Sequence, residues 1–183
     1  MCGLFSARMM KQEKLKLYMM DMKYVRDLHN ADDRVQSVSP QIHKSNRPFV
    51  GVVVVCDMQK YCIPLDHPKP KHYNMKNDVD FMRIFDGNKL IGVLNFNNMI
   101  PVDESVIIPL DVKPTRNDTV SERAYKILCA KELDWVQKNQ DAIIRKANRL
   151  YRIIQLDTVN HGLKKRCLDF KKLEKVLEKR KNK

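Results

Sequence analysis

The spacing of apolar residues in this chain changes near Pro114, and that change limits the fold more than any other feature of the sequence. Before it, apolar residues come in short runs or alternate with polar ones, which is the spacing of a strand. After it they recur every three or four positions, as on one face of a helix. Strands gathered in the first part and helices in the second point to an α+β fold.

Within the first part, Lys14 to Met20 alternates charged and apolar residues like a half-buried strand. Asp21 is placed to cap a short helix running through His29, with Met22, Val25 and Leu28 on one face. Asn30 to Asn46 is polar, aperiodic and holds Pro40, so it reads as a long loop, and loops of that length are often functional. Phe49 to Cys56, rich in valine, is the longest apolar run and reads as a central strand, turned by Asp57 to Lys60 into a partner at Tyr61 to Leu65. A second hairpin joins Phe81 to Phe85 with Lys89 to Phe96 through Asp86-Gly87-Asn88, residues that tolerate positive φ. Met99 to Val102 and Ser105 to Leu110 add two short strands, and so many antiparallel strands in roughly 100 residues predict a compact, highly twisted barrel-like core.

In the second part, Val120, Ala124, Ile127, Leu128, Lys131 and Trp135 mark one helical face, and Ile143, Ala147, Leu150, Tyr151 and Ile154 mark another. Gly162 ends that region, and Asp169 caps a last helix carrying Phe170, Leu173, Val176 and Leu177. The expected organisation is an N-terminal tail over 1–13 and one domain over 14–183. Its β core covers about 14–112 and its helical part about 117–180.

Charge narrows the class of partner. The 183 residues carry 35 Lys and Arg against 22 Asp and Glu, a net +13 that draws polyanions from a distance. Ten of the basic residues and only three acidic ones fall between Lys164 and Lys183. For Lys179 to Lys183 solubility alone is an equal explanation. No apolar run approaches the roughly 18 residues needed to cross a bilayer, so a membrane partner is not expected. The opening residues lack the pattern of a secretory signal, and five cysteines without paired spacing fit reduced thiols in a cytoplasmic protein. A Met-Cys-Gly opening also admits Cys2 as an N-terminal nucleophile, on the strength of three residues alone.

The densest chemistry lies in Pro64-Leu65-Asp66-His67-Pro68-Lys69-Pro70-Lys71-His72, directly after a predicted strand. Its prolines fix φ and end the strand, which holds the polar side chains on a stiff, extended lip. A carboxylate, two imidazoles and two ammonium groups suit the cleavage of RNA. That reaction needs the 2′-hydroxyl deprotonated, the leaving 5′-oxygen protonated, and the charge on the phosphorus-centred transition state stabilised. An ordinary solvated turn would carry the same residues. A metal held by His67, His72 and Asp66 fits less well, because the spacing matches no standard ligand set and Lys69 and Lys71 would repel the ion.

These residues sit within a longer likeness. Arg47-Pro48-Phe49-Val50-Gly51-Val52-Val53-Val54, Tyr61-Cys62-Ile63-Pro64-Leu65, Pro68-Lys69 and Lys71-His72 resemble the signature of the ToxN/AbiQ family of type III toxins. The likeness continues through Met75-Lys76-Asn77, the stretch from Gly92 to Val102, and Cys167-Leu168-Asp169-Phe170-Lys171-Lys172-Leu173-Glu174, and among members it is strongest to the CptN type. The resemblance implies a bacterial, cytoplasmic endoribonuclease toxin with an SH3-like antiparallel barrel related in shape to MazF/Kid toxins, surrounded by helices. It implies cleavage of adenosine-rich cellular and phage RNA without metal or other cofactor, leaving 2′,3′-cyclic phosphate and 5′-hydroxyl ends. It also implies a repeat, pseudoknot-forming antitoxin RNA that the toxin processes and that holds it inactive in a closed protein–RNA assembly. Roles in phage abortive infection or plasmid and locus maintenance follow from the same likeness.

The family's active-site lysine falls on Lys69, while its two preceding hydroxyl residues are replaced by Asp66 and His67, and a loop tyrosine of relatives falls near His43. The expected division of labour gives charge stabilisation to Lys69, the two proton transfers to His67 and His43, and the orienting of an imidazole to Asp66. RNA contacts are expected from Lys44, Arg47, Lys71, His72, Lys76 and Asn77 around the lip, and from Lys164, Lys165 and Arg166.

Overall fold

A computed structural model of the chain describes residues 11–36 and 50–182. Strand β1 (Leu17–Met20) leads into helix α1 (Met22–Ala31), and Asp21 caps that helix by accepting hydrogen bonds from the Lys23 and Tyr24 amides. Val25 and Leu28 are buried as the spacing predicts; Tyr24 is buried as well, and Met22 only partly.

Strands β2 (Val50–Cys56) and β3 (Gln59–Asp66) form the first hairpin, with Val52 opposite Ile63 and Cys56 opposite Gln59. Its turn is two residues long rather than the four expected, because Asp57 adopts φ 53° and reverses the chain at once. Gly51 lets β2 and β3 approach closely: a Cβ there would lie 2.3 Å from the Cys62 sulfur. After helix α2 (Pro70–Asn74), strands β4 (Phe81–Asp86) and β5 (Lys89–Asn95) make the second hairpin, in which Gly87 takes φ 58°. A 3₁₀ turn (Phe96–Asn98) separates β5 from β6 (Ile100–Val102), and β7 (Ile107–Pro109) follows.

Among the described residues all pairings are antiparallel, and the seven strands run in the order β4-β5-β3-β2-β1-β7, with β6 also on β3. One edge of β3 is shared: Lys60 to Cys62 pair with β6, and Leu65 and Asp66 pair with β5. The predicted barrel is corrected, since the sheet is not closed. Among the described residues its terminal strands do not pair with each other: β4 packs against α3 (Val120–Lys138), and β7 is three residues long and ends in Pro109, which has no N–H to donate.

Helix α4 (Gln140–Ile153) buries Ile143, Ala147, Leu150 and Tyr151 against the sheet, as its period predicts. Helix α3 does not follow its predicted face. Val120 is 88% exposed and Ile127 45%, while Cys129, Glu132 and Val136 are buried, because the helix is turned about one residue from the apolar stripe. Gly162 lies within helix α5 (His161–Arg166) instead of ending the region before it, and Asn160 caps that helix. Helix α6 (Phe170–Lys181) is capped by Asp169 and buries Phe170, Leu173 and Leu177. Its Glu174 accepts hydrogen bonds from the hydroxyls of Tyr61 on β3 (2.6 Å) and Tyr151 on α4 (2.9 Å), which ties three elements together. Among the described residues no helix is long and apolar enough to cross a membrane.

Candidate active site

Asp66 is the last residue of β3, where it pairs opposite Val93 of β5. Pro68 and Pro70 then flank Lys69, which is extended at φ −101°, ψ 160° and stands directly before α2 with Pro70 at the first helical position. The lip is extended only that far. Lys71 and His72, expected on the same extended segment, lie on a helical turn, since the fixed φ of Pro70 suits a helix start. Lys69 and His72 clasp each other through two hydrogen bonds: the His72 amide donates to the Lys69 carbonyl (2.8 Å), and the Lys69 amide donates to His72 Nδ1 (2.9 Å). The His72 ring is 5% exposed and tilts against Phe81 of β4, with 5.4 Å between ring centroids.

Because Nδ1 receives an amide proton, the ring is neutral there and carries its own proton on Nε2. Burial holds its pKa below the usual histidine value; the Lys71 and Lys69 charges push the same way and Asp66 opposes them. Asp66 itself is half-buried and accepts from Asn95 Nδ2 at 2.5 Å.

These groups open into a cleft of about 680 Å³. Asp66, Lys69, Lys71 and His72 form one side of its lining, together with Lys76 and Asn77. Asp78, Asp80, Asn95, Asn97, Asn98 and Arg166 add further polar groups, and Gln36, Met75 and Phe81 complete the lining. Arg166, on α5, reaches across to Asp80 (Nε to Oδ2, 2.5 Å) and Asp78 (3.6 Å). The Asp80 side chain is 7% exposed, so much of the arginine charge is matched within the protein. The cations left facing the cleft without a carboxylate pair among the described residues are Lys69, Lys71 and Lys76, all exposed.

The structure thus brings together Asp66, Lys69, Lys71, His72, Lys76, Asn77 and Arg166. His67 is half-buried at the end of β3 and does not line the cleft. Asn77 also accepts from the Arg83 amide (2.9 Å), which steadies the loop after α2. The basic trio divides. Lys164 borders a separate groove with Arg34 and Lys171, and Lys165 is exposed while its carbonyl accepts from Arg34 (3.2 Å). His43, Lys44 and Arg47 lie outside the described residues, as does Cys2. Among the described residues no three His, Cys, Asp or Glu are grouped to hold a metal ion.

Sequence reading passed over Asn95, Asp80 and the Asn97-Asn98 pair. The cluster of three asparagines around Phe96 at a strand end was the available signal, since such residues favour turns and polar sites. Asp80 carried no local signal, because its partner is 86 positions away.

A family model described as toxin ToxN of the type III toxin-antitoxin system matches residues 16–178. Endoribonuclease ToxN of Bacillus thuringiensis subsp. kurstaki is 30% identical over 171 residues, covering 91% of this chain and 84% of that protein. Endoribonuclease ToxN of Pectobacterium atrosepticum is 26% identical over 144 residues, covering 76% of this chain and 81% of that one. A structure from work on selective toxin inhibition by a non-coding RNA pseudoknot superposes with a TM-score of 0.75 at 28% identity, covering 93% of this chain and all of that one. AbiQ, a lactococcal anti-phage endoribonuclease, shares the fold with a TM-score of 0.76 at 24% identity, over 93% of this chain and all of that one. With a matching family model across nearly its whole length and a relative 30% identical over most of both chains, this chain belongs to the ToxN family of type III toxin-antitoxin endoribonucleases.

Proposed function

We propose that the protein is a metal-independent endoribonuclease toxin that cuts adenosine-rich RNA at the Asp66–Lys69 cleft, and that an antitoxin RNA of pseudoknot-forming repeats is both its substrate and its inhibitor. The observation that carries the reading is the joint placement of Lys69 and Asp66 at one cleft, with Lys71 and Lys76 beside them. The solved relative inhibited by a non-coding RNA pseudoknot supports the antitoxin, and the anti-phage relative supports a role in abortive infection.

In the proposed reaction the substrate's 2′-oxygen attacks phosphorus, the bond from phosphorus to the 5′-oxygen breaks, and the ends are a 2′,3′-cyclic phosphate and a 5′-hydroxyl. One imidazole takes the 2′-hydroxyl proton and another delivers a proton to the leaving 5′-oxygen; the sequence reading gives these roles to His67 and His43, and His67, which does not line the cleft, has to turn toward it from its place directly after β3 to act. Lys69 places its ammonium at the non-bridging oxygens, where a preset charge is most effective. Asp66, steadied by Asn95, orients or charges an imidazole. Lys71, Lys76 and Asn77 position the strand through its phosphates, and exposed bases of a folded RNA are read by stacking and edge contacts.

The test is incubation of the purified protein with adenosine-rich RNA in a chelator. Fragments with cyclic phosphate ends, lost in Lys69→Ala and His67→Ala variants that still fold, are the expected result. RNA bound but left whole by the wild type would replace the enzyme with a binding module.

A further inference from the structure

The stretch Pro68-Lys69-Pro70 contains a single backbone donor, since neither proline has an N–H. That donor, the Lys69 amide, is aimed at the Nδ1 of His72, and the same residue's carbonyl takes the His72 amide. The ring that completes this clasp is itself fixed: it is buried, and it leans on Phe81, a residue of β4 that packs beneath the cleft. The backbone that aims Lys69 is therefore referred to the sheet through one imidazole.

We propose that His72 is a positioning residue, whose ring nitrogen sets the backbone of Lys69 and so determines where the ammonium meets the scissile phosphate. The inference rests on the reading above that Lys69 acts at the phosphate. A contact to RNA, the role expected for His72 from its place beside Lys71, is disfavoured by its burial and by the use of Nδ1 within the protein. Placement errors on the order of 1 Å are enough to lower a rate by about a hundredfold, so a clasp this close to the reacting group governs rate more than binding.

The experiment separates those two quantities. Full-length protein is assayed for single-turnover cleavage of an adenosine-rich RNA, and binding is measured with the 2′-O-methyl form of that RNA, which lacks the nucleophile. His72→Leu, which cannot accept the Lys69 amide, should cut at least about tenfold more slowly with its Kd changed less than about twofold. His72→Gln, with a side-chain oxygen able to accept at the third helical position, should recover most of the rate. Equal rates in the two variants, or a loss confined to Kd, would overturn the proposal. Should His72→Leu fail to fold, nitrogen-15 spectra of the wild-type imidazole decide: a ring unprotonated at Nδ1 supports the clasp, and a proton on Nδ1 overturns it. Lys69→Ala in the same assay distinguishes the two levels. If it abolishes cleavage while the His72 variants behave alike, only this inference falls; if it cuts normally, the reading of the cleft falls with it.

Discussion

Glu132 gives the sharpest quantitative expectation. Its side chain lies on the buried face of α3, 3% exposed, and Oε1 stands so close over β5 that a Cβ on Gly92 would be 2.7 Å away. Burial alone sets its carboxyl, which it pushes up to about 8. A glutamate in an unfolded chain titrates near about 4.3, so the folded state holds this proton more tightly. The resulting stability is fully present below the unfolded value, declines as pH rises above it, and is lost once pH has passed through about 8. Between pH 6 and 8 the unfolded chain is deprotonated while the folded one largely is not. At 1.36 kcal/mol per pH unit, the loss across that interval is about 2 kcal/mol. Glu132→Gln keeps the shape and removes the titration. Urea denaturation of both proteins at several pH values from 6 to 8 should show the wild type losing about 2 kcal/mol more than the variant, other titrations cancelling in the difference. Parallel curves for the two proteins would refute the argument, since they would mean that the carboxylate is charged and solvated in the fold.

Tyr61→Phe removes a 2.6 Å hydrogen bond to Glu174 and should lower stability by about 1–2 kcal/mol in denaturant; combined with Glu174→Gln the loss should be less than additive, because both break the same contact. Gly51→Ala puts a Cβ 2.3 Å from the Cys62 sulfur and 2.5 Å from the Ile63 carbonyl, so the hairpin must open and soluble folded protein should largely disappear; an unchanged melting temperature would contradict that packing. Arg166→Ala strips Asp80 of its guanidinium partner; with that arginine side chain 47% exposed, water offsets part of the loss, and about 1–2 kcal/mol should remain in thermal or chemical unfolding.

Much of the local structure is legible in the chain. Asp21 and Asp169 cap helices because a short side-chain oxygen preceding an apolar stripe has nearby amides to accept from. Gly87 reverses the second hairpin at positive φ, as its neighbours predict, and the valines of β2 pair with β3 in the order expected. The prolines around Lys69 mark a stiff exit from a strand, and the excess of basic residues points to a polyanion whatever the fold. Each of these follows from interactions spanning a few positions, or from charge that survives any fold.

The remaining features depend on which distant segments meet. Periodicity finds an apolar stripe on α3 but not the neighbour that covers it, so Ile127 is exposed while Glu132 is buried over Gly92. The opening of the sheet depends on β6 sharing an edge of β3 with β5 and on α3 packing against β4, relations between segments dozens of residues apart. Asp80 finds its guanidinium partner only when α5 carries Arg166 back to the cleft, and the same helix sends Lys164 to another groove. Local sequence encodes turns, caps and which face is oily, because those energies arise between near neighbours along the chain. The environment of a carboxylate or the aim of a lysine arises between surfaces that approach only when the whole molecule has packed.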